Sequence, residues 1–201
     1  MHARVNIIFG ERDKVEAGIA HLEESDRAVV EATAGNRGLT TLVDREAGMI
    51  VAVSYWDDLP HSSKAALTRA REGAAAAAGG DVIAETYEVA AEDRLAQPAP
   101  GAAVRLWRVQ IEPARVADGV AFVRDELLPQ LRASAGLCSA ELLLDRGPGS
   151  GLLLTAWTGE DAAAAADAAL SGSDDRAVEQ AGTKFPRIEK YSLVRTSGQA
   201  A

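Results

Sequence analysis

The sequence predicts an α+β fold built from two tandem copies of one β-α-β-β-α-β unit. Identical residues recur at one constant spacing between residues 4–56 and 105–157. Within each copy the apolar residues alternate between the two-residue period of strands and the wider spacing of amphipathic helices. A stretch containing prolines and a glycine, 97–101, separates the copies and favours an irregular connector. Together these features predict a first domain at 1–90, a linker at 91–103 and a second domain at 104–201.

The repeat is the firmest of these observations, because internal self-similarity decides the architecture of the whole chain. Alanine matches arise by chance in an alanine-rich sequence, but paired glycines, Asp-Arg dipeptides and tryptophans in register are rarer. The identical pairs are Arg4/Arg105, Glu11/Glu112, Val15/Val116, Gly18/Gly119, Ala20/Ala121, Ala32/Ala133, Ala34/Ala135, Gly35/Gly136, Leu42/Leu143, Asp44/Asp145, Arg45/Arg146, Gly48/Gly149 and Trp56/Trp157. Duplication of one unit is the simple explanation.

Each copy reads as the same series of elements. A short apolar strand is followed by an amphipathic helix, which in the second copy should bend or split at Pro129 because proline removes a helical donor. Gly35 and Gly136 are placed to end these helices in the left-handed conformation. A hairpin with an Asp- and Gly-containing turn follows, then an alanine-rich helix and a last strand. The predicted ranges are 3–9, 13–34, 39–43, 50–56, 59–78 and 82–89 in the first copy, and 104–111, 116–131, 140–144, 152–157, 160–181 and 188–194 in the second.

This order is the split, ferredoxin-like β-α-β-β-α-β unit, which carries its helices on one side of an antiparallel sheet. The third strand is apolar throughout in both copies, at 50–53 and 152–154, so both of its faces should be buried. The second copy can bury the sheet face of the first copy that its own helices leave exposed. We therefore expect the two units to form one barrel-like core within a single chain.

The residues Gly35, Leu42, Asp44, Arg45 and Gly48, followed by a strand ending in Trp56-Asp57-Asp58 and then a helix, resemble the antibiotic-biosynthesis-monooxygenase-like branch of the dimeric α/β-barrel superfamily. The second copy repeats most of the pattern. The resemblance implies an intramolecular dimeric α/β barrel. Its members include cofactor-independent oxygenases of polycyclic aromatic polyketides and haem-degrading oxygenases, and fold alone does not choose between them.

The resemblance gives two sets of functional side chains to compare. Haem-degrading members carry an asparagine on the first strand and a tryptophan and a histidine on the second helix. Asn6 matches the first, but that helix has only His61 at its start, and the second copy has Trp107 in place of the asparagine. We therefore expect no haem and no other cofactor. The polyketide oxygenases use Asn, Trp and Tyr side chains, which Asn6, Tyr55 and Trp56 imitate as the candidate catalytic set.

Other side chains are candidates for ligand binding, each with a structural alternative. Trp56 can stack a flat substrate or anchor the end of a strand, and Asn6 can orient a ligand or serve as a satisfied polar residue at a strand edge. Arg4 can clamp a carboxylate or form a salt bridge. The mismatch of Trp107 and Arg108 with Asn6 and Ile7 indicates that one half keeps a site while the other becomes scaffold. The ligand-binding candidates are Arg4, His61, Trp107, Arg108 and Trp157.

Composition limits the partners. The net charge of −9 and the pI near 4.9 disfavour nucleic acid and anionic membranes, which require a basic face. The single cysteine, Cys138, allows no intrachain disulfide, so we expect a cytoplasmic protein. No histidine has metal-ligand spacing, so we expect no metal. We expect a monomer with an internal pseudo-dimer, with further homodimerisation left open. Its predicted role is to bind a small molecule, as a cofactor-independent monooxygenase of an aromatic metabolite or, alternatively, as a non-catalytic ligand-binding or structural module.

Overall fold

The computed structural model describes residues 1–58, 65–170 and 173–198. The strands are β1 His2–Phe9, β2 Asn36–Asp44, β3 Met49–Trp56, β4 Asp81–Arg94, β5 Ala103–Ile111, β6 Leu137–Asp145, β7 Ser150–Trp157 and β8 Thr183–Gly198. The α-helices are α1 Val15–His21, α2 Arg27–Glu31, α3 Ala65–Ala77, α4 Val116–Phe122, α5 Leu128–Ala133, α6 Glu160–Leu170 and α7 Ser173–Ala181. None of the helices in these ranges is long and apolar enough to cross a lipid bilayer.

The chain divides into two compact units, and each contains one ferredoxin-like sheet. Unit 1 comprises Met1–Thr86 and Leu193–Ala201, and unit 2 comprises Tyr87–Ser192. The hydrogen-bonded order is β4-β1-β3-β2-β8 in unit 1 and β8-β5-β7-β6-β4 in unit 2. In each unit the four strands of one copy are neighbours in the order fourth, first, third, second. One end of the last strand of the other copy, β8 in unit 1 and β4 in unit 2, pairs at the edge of this sheet. The predicted α+β class, with two ferredoxin-like units, is confirmed.

The last strand of each copy is longer than the sequence pattern predicts. β4 was expected at 82–89 but runs to Arg94, because the polar segment after Val89 pairs with β6, where Glu92 lies opposite Glu141. A polar segment has no strand signal of its own, and cross-strand hydrogen bonds decide its conformation. The two compact units, Met1–Thr86 with Leu193–Ala201 and Tyr87–Ser192, therefore have different boundaries from the two predicted domains, 1–90 and 104–201. The predicted domains follow the duplication in the sequence.

The long helix after the first strand contains a π-helical segment at the same place in both units, Leu22–Asp26 and Val123–Leu127. The backbone stays right-handed helical on either side, and Pro129 lies in the first turn of α5. The predicted split at Pro129 does not occur. Since the equivalent position in unit 1 is Ala28, the π-helical segment belongs to the repeated unit and is not produced by proline.

The predicted helix stops and hairpin turns are confirmed. Gly35 and Gly136 have φ angles of 81° and 88°, the left-handed region that glycine enters without strain. In the first hairpin the Asp44 carboxylate accepts hydrogen bonds from the backbone N–H groups of Glu46 and Ala47, both at 3.0 Å. The alanine-rich helix of the second copy, expected as one helix at 160–181, is instead formed by α6 and α7.

Both units bury the whole of the third strand, as its apolar content predicts. In β3 every residue from Ile50 to Trp56 is buried, and in β7 every residue from Gly151 to Trp157 is buried. On the helix side of the unit 1 sheet, β3 packs with α1, the π-helical segment and α3, through residues such as Ile19, Leu22 and Ala74. This layer between sheet and helices is where the candidate site lies.

Candidate functional site

Unit 1 contains a cavity between its sheet and its helices. The cavity volume is about 40 Å³, and the empty space including the open solvent at its mouth is about 500 Å³. Strands β1, β2 and β3 form its floor, and the π-helical segment, α2 and α3 form its walls. The lining residues are Arg4, Asn6, Ile8, Leu22, Asp26, Val30, Leu39, Ala52, Ser54, Trp56, Leu67, Ala70, Arg71 and Ala74.

The strand register explains why the polar side chains meet on this floor. Antiparallel pairing places Arg4 opposite Ser54 and Asn6 opposite Ala52. Because side chains alternate between the faces of a strand, alternate residues of β1 and β3 share the cavity side. The small side chain of Ala52 leaves space directly beside Asn6.

Trp56 forms an apolar wall rather than a hydrogen-bonding group. Its side chain is almost fully buried, and its indole Nε1 donates to the Ser54 hydroxyl at 2.9 Å. The Ser54 hydroxyl in turn donates to the Arg4 carbonyl oxygen at 3.3 Å. With its only donor engaged, the indole offers a ligand its flat ring alone.

Three polar atoms of the cavity are buried without a hydrogen-bond partner within the described part of the chain. They are Arg4 Nε, Asn6 Oδ1 and Asp26 Oδ2. Leaving a buried donor or acceptor unpaired costs about 1–3 kcal/mol, so native proteins rarely do so without a reason. Their concentration in one cavity indicates a site where a ligand or solvent supplies the missing partners.

Asp26 is the acidic group of the cavity. It is only 8% exposed, and burial raises the pKa of Asp26 from 3.8 to about 6, with the positive charge of His21 opposing the rise. The nearest contact between the two side chains joins His21 Nε2 and Asp26 Oδ1 at 3.6 Å. A carboxylate with this pKa is ionised at neutral pH and is a stronger base than an ordinary aspartate.

Two arginines, Arg4 and Arg71, line the same cavity. Desolvation, and then the positive charge of Arg71, lower the pKa of Arg4. Neither guanidinium forms an ion pair with any residue that the structure describes. The segment 59–64, which lies outside the described residues, contains no Asp or Glu. The cavity therefore carries an uncompensated positive charge next to its acceptor atoms.

The structure brings three of the predicted site residues together. Arg4, Asn6 and Trp56 share the cavity. Tyr55 precedes Trp56 on β3, so its buried side chain lies on the opposite face of the strand and does not line the cavity. His61 lies outside the described residues.

The remaining candidates belong to unit 2 and have structural contacts there. Trp107 packs edge-to-face on Phe185 with ring centroids 6.2 Å apart. Arg108 Nε donates to Glu189 at 3.2 Å. Trp157 is as buried as its counterpart in unit 1 and also uses its indole N–H within the protein. Their ligand-binding role stays a prediction.

Sequence reasoning missed Asp26 and Arg71, although both left a signal. Asp26 follows Leu22 by four residues and precedes Val30 by four, so it lies in the apolar stripe of the helix, where the second copy has Leu127. Arg71 likewise stands between the buried Ala70 and Ala74 of an alanine-rich helix. A charged residue within an apolar stripe indicates either a buried ion pair or a binding site.

Comparison of the sequence with known proteins identifies uncharacterized relatives in Mycobacterium tuberculosis. No protein-family model matches the chain. It is 32% identical over 151 residues to the uncharacterized protein Rv2557 of Mycobacterium tuberculosis (strain ATCC 25618 / H37Rv), with 74% of this chain and 67% of that protein covered. It is 29% identical over 154 residues to the uncharacterized protein Rv2558 of the same strain, with 72% and 65% covered.

Solved structures show the same fold at low sequence identity. An anthrone oxidase-like protein matches 98% of this chain and 92% of its own, with a TM-score of 0.69 and 15% identity. A ferredoxin fold protein related to antibiotic biosynthesis monooxygenases, from Listeria monocytogenes 4b F2365, covers 96% and 95%, with a TM-score of 0.57 and 13% identity. The heme-degrading enzyme LmHde of Listeria monocytogenes covers 96% and 99%, with a TM-score of 0.56 and 10% identity. The chain belongs to the family of Rv2557, and its fold is similar to that of these ferredoxin-fold, monooxygenase-related structures.

Proposed function

We propose that unit 1 binds a small aromatic molecule with an acidic proton, and that Asp26 removes this proton as the first step of a cofactor-independent oxygenation. The observation that carries the proposal is a buried carboxylate with a pKa of about 6 in one cavity with unpartnered atoms of Asn6 and Arg4. A base is most effective when its pKa lies near the working pH, and burial has moved Asp26 in that direction.

Each cavity residue has a role in this scheme. Trp56 and the aliphatic wall hold the flat ring, and Asn6 Oδ1 accepts a hydrogen bond from a ligand hydroxyl. Asp26 Oδ2 takes the proton. The negative charge that develops on the substrate oxygen is stabilised by the Arg4 guanidinium, which already has a buried N–H without a partner.

The deprotonated substrate supplies the electrons for the reaction with oxygen. A ring methylene and one O₂ give a ring carbonyl and one water, so that one oxygen atom stays in the product and the other leaves with both hydrogens. The substrate is the only reductant, and no added cofactor is needed. The anthrone oxidase-like structural neighbour is consistent with this type of substrate.

We further propose that the protein works in the cytoplasm, because its sequence has a single cysteine and proteins of oxidising compartments commonly carry disulfides.

The test is oxygen uptake with dithranol, a dihydroxyanthrone, above the uncatalysed rate and without added metal or flavin. Asp26→Asn should lower the rate at least ~100-fold, the range typical of losing a general base. Glu24→Gln is the matched control, because Glu24 lies in the same π-helical segment but is exposed. The wild-type rate should rise with pH and level off above about pH 6, where Asp26 is ionised.

The outcomes separate catalysis from binding. If Asp26→Asn keeps its rate within about twofold of the control, Asp26 is not the base and the mechanism is wrong. If the wild type binds dithranol without taking up oxygen, the protein is a non-catalytic ligand-binding module, which is the alternative function.

A further inference from the structure

The equivalent arginines of the two units have opposite electrostatic surroundings. Arg105 of unit 2 is fully buried, and it donates to Asp167 at 2.8 Å and to both carboxylate oxygens of Glu160 at 3.0 and 2.6 Å. Both carboxylates come from α6, the helix that follows the third strand of that copy. The positive charge of this arginine is therefore neutralised within the protein.

In unit 1 the helix that follows the third strand contributes a positive charge instead. Arg71 of α3 lines the cavity with Arg4, whereas α6 of unit 2 supplies the carboxylates of Asp167 and Glu160 to Arg105. Like charges in a partly desolvated cavity repel each other, so this arrangement destabilises the empty protein. An anion between the two guanidinium groups removes the cost.

We propose that the molecule bound in unit 1 carries a permanent carboxylate, held by Arg4 and Arg71 together, so that the ligand class is hydroxyaryl carboxylic acids. This inference rests on the proposed function and names its substrate class. Guanidinium groups match the planar carboxylate through paired N–H donors.

The charges of the cavity favour a monoanion over a phosphate. Among the residues that line the cavity, Arg4, Arg71 and the ionised Asp26 leave one net positive charge, which a single carboxylate balances. A phosphate dianion would bring further acceptor oxygens towards Asn6 Oδ1 and Asp26 Oδ2, which at neutral pH are themselves acceptors.

The experiment compares salicylate with salicylamide by isothermal titration calorimetry at about pH 7.5. The two probes share the ring and the hydroxyl and differ in charge. Wild-type protein should bind salicylate at least ~10-fold more tightly than salicylamide. Arg71→Asp reverses the charge that α3 contributes to the cavity lining, so it should reduce that preference to about onefold, with salicylamide affinity unchanged within about twofold.

Arg69→Asp is the matched control, because Arg69 is an exposed residue of the same helix and the change in net charge is identical. It should keep the salicylate preference within about twofold. Equal affinities of the wild type for the two probes, no binding of salicylate, or an equal loss in the two variants would each overturn the proposal.

The same titration distinguishes this inference from the proposed function. Asp26→Asn should abolish oxygen uptake while keeping the preference for salicylate, since the carboxylate is held by the arginines. Loss of the salicylate preference in Arg71→Asp, with the preference kept in Arg69→Asp and oxygen uptake lost in Asp26→Asn, is expected if both hold. Oxygen uptake by a wild type that shows no salicylate preference would refute the substrate class and leave the base in place.

Discussion

Units 1 and 2 have the same strand order and the same helix with a π-helical segment, but they use the space between sheet and helices differently. In unit 1 this space is a cavity with polar walls. In unit 2 the equivalent positions carry larger or apolar side chains, and they belong to one hydrophobic core. These pairs are Asn6/Trp107, Asp26/Leu127 and Ala52/Leu153, while Arg4 corresponds to Arg105, which is paired with Asp167 and Glu160.

Several features of the proposed site in unit 1 are expected to lower the free energy of unfolding. Unit 2 packs apolar side chains at these positions and pairs its buried arginine, whereas unit 1 has, within its described residues, unpartnered polar atoms, a desolvated carboxylate and two arginines in one cavity. Features of this kind are retained in proteins when function requires them, because each lowers the free energy of unfolding. The difference supports our proposal that the working site lies in unit 1.

The largest expected effect is on the free energy of unfolding, which should respond differently to removal of Arg105 and of Arg4. Arg105→Met should lower the free energy of unfolding by about 3 kcal/mol, because it removes a buried cation and leaves Asp167 and Glu160 without their partner. The value lies at the lower end for buried pairs because both carboxylates are partly exposed. Urea denaturation at neutral pH measures it.

Arg4→Met is the matched variant in unit 1. Since Arg4 has no ion pair within the described residues, its removal should change the free energy of unfolding by less than about 1 kcal/mol. Equal losses for the two variants would show that the arginines have the same structural role, and the comparison between the units would fail.

The next effect is the pH dependence caused by Asp26. Folding raises its pKa from 3.8 to about 6, so the folded state binds the proton more tightly and stability falls as the pH rises through this window. Asp26→Asn should therefore raise the free energy of unfolding by about 2 kcal/mol at about pH 8 and by little at about pH 3.5. Leu127, the counterpart in unit 2, shows that the position accepts an uncharged side chain.

Thermal or urea unfolding of the Asp26→Asn variant across this pH range provides the check, with Glu24→Gln as the control. A constant difference from the wild type at all pH values would mean that Asp26 titrates normally in the folded protein.

The smallest effect comes from copying the apolar filling of unit 2 into unit 1. Ala52→Leu places the residue type of Leu153 beside Asn6, and it should change the free energy of unfolding by about 1 kcal/mol or less while blocking the cavity. Binding of salicylate should be lost in calorimetry. Retained binding in a folded variant would place the ligand elsewhere.

Much of the fold could be predicted because its signals are local or repeated. The duplication, the strand and helix periods, Gly35 and the Asp44 turn all act over a few residues. Arg4, Asn6 and Trp56 were also recognised as candidates, from the resemblance and the alternation along strands. Tyr55 was grouped with Asn6 and Trp56 because the resemblance implies Asn, Trp and Tyr side chains, although adjacent strand residues point to opposite faces.

The sequence by itself determined the two α+β units, their element order and the asymmetry between Asn6 and Trp107. Only the tertiary structure decided that Asp26 and Arg71, from two helices, meet Arg4 and Asn6 in one cavity, and that Arg105 is neutralised by Glu160 and Asp167. The physical reason is that burial, pKa and ion pairing depend on neighbours that are distant in sequence, whereas helix and strand periodicity depends on neighbours along the chain.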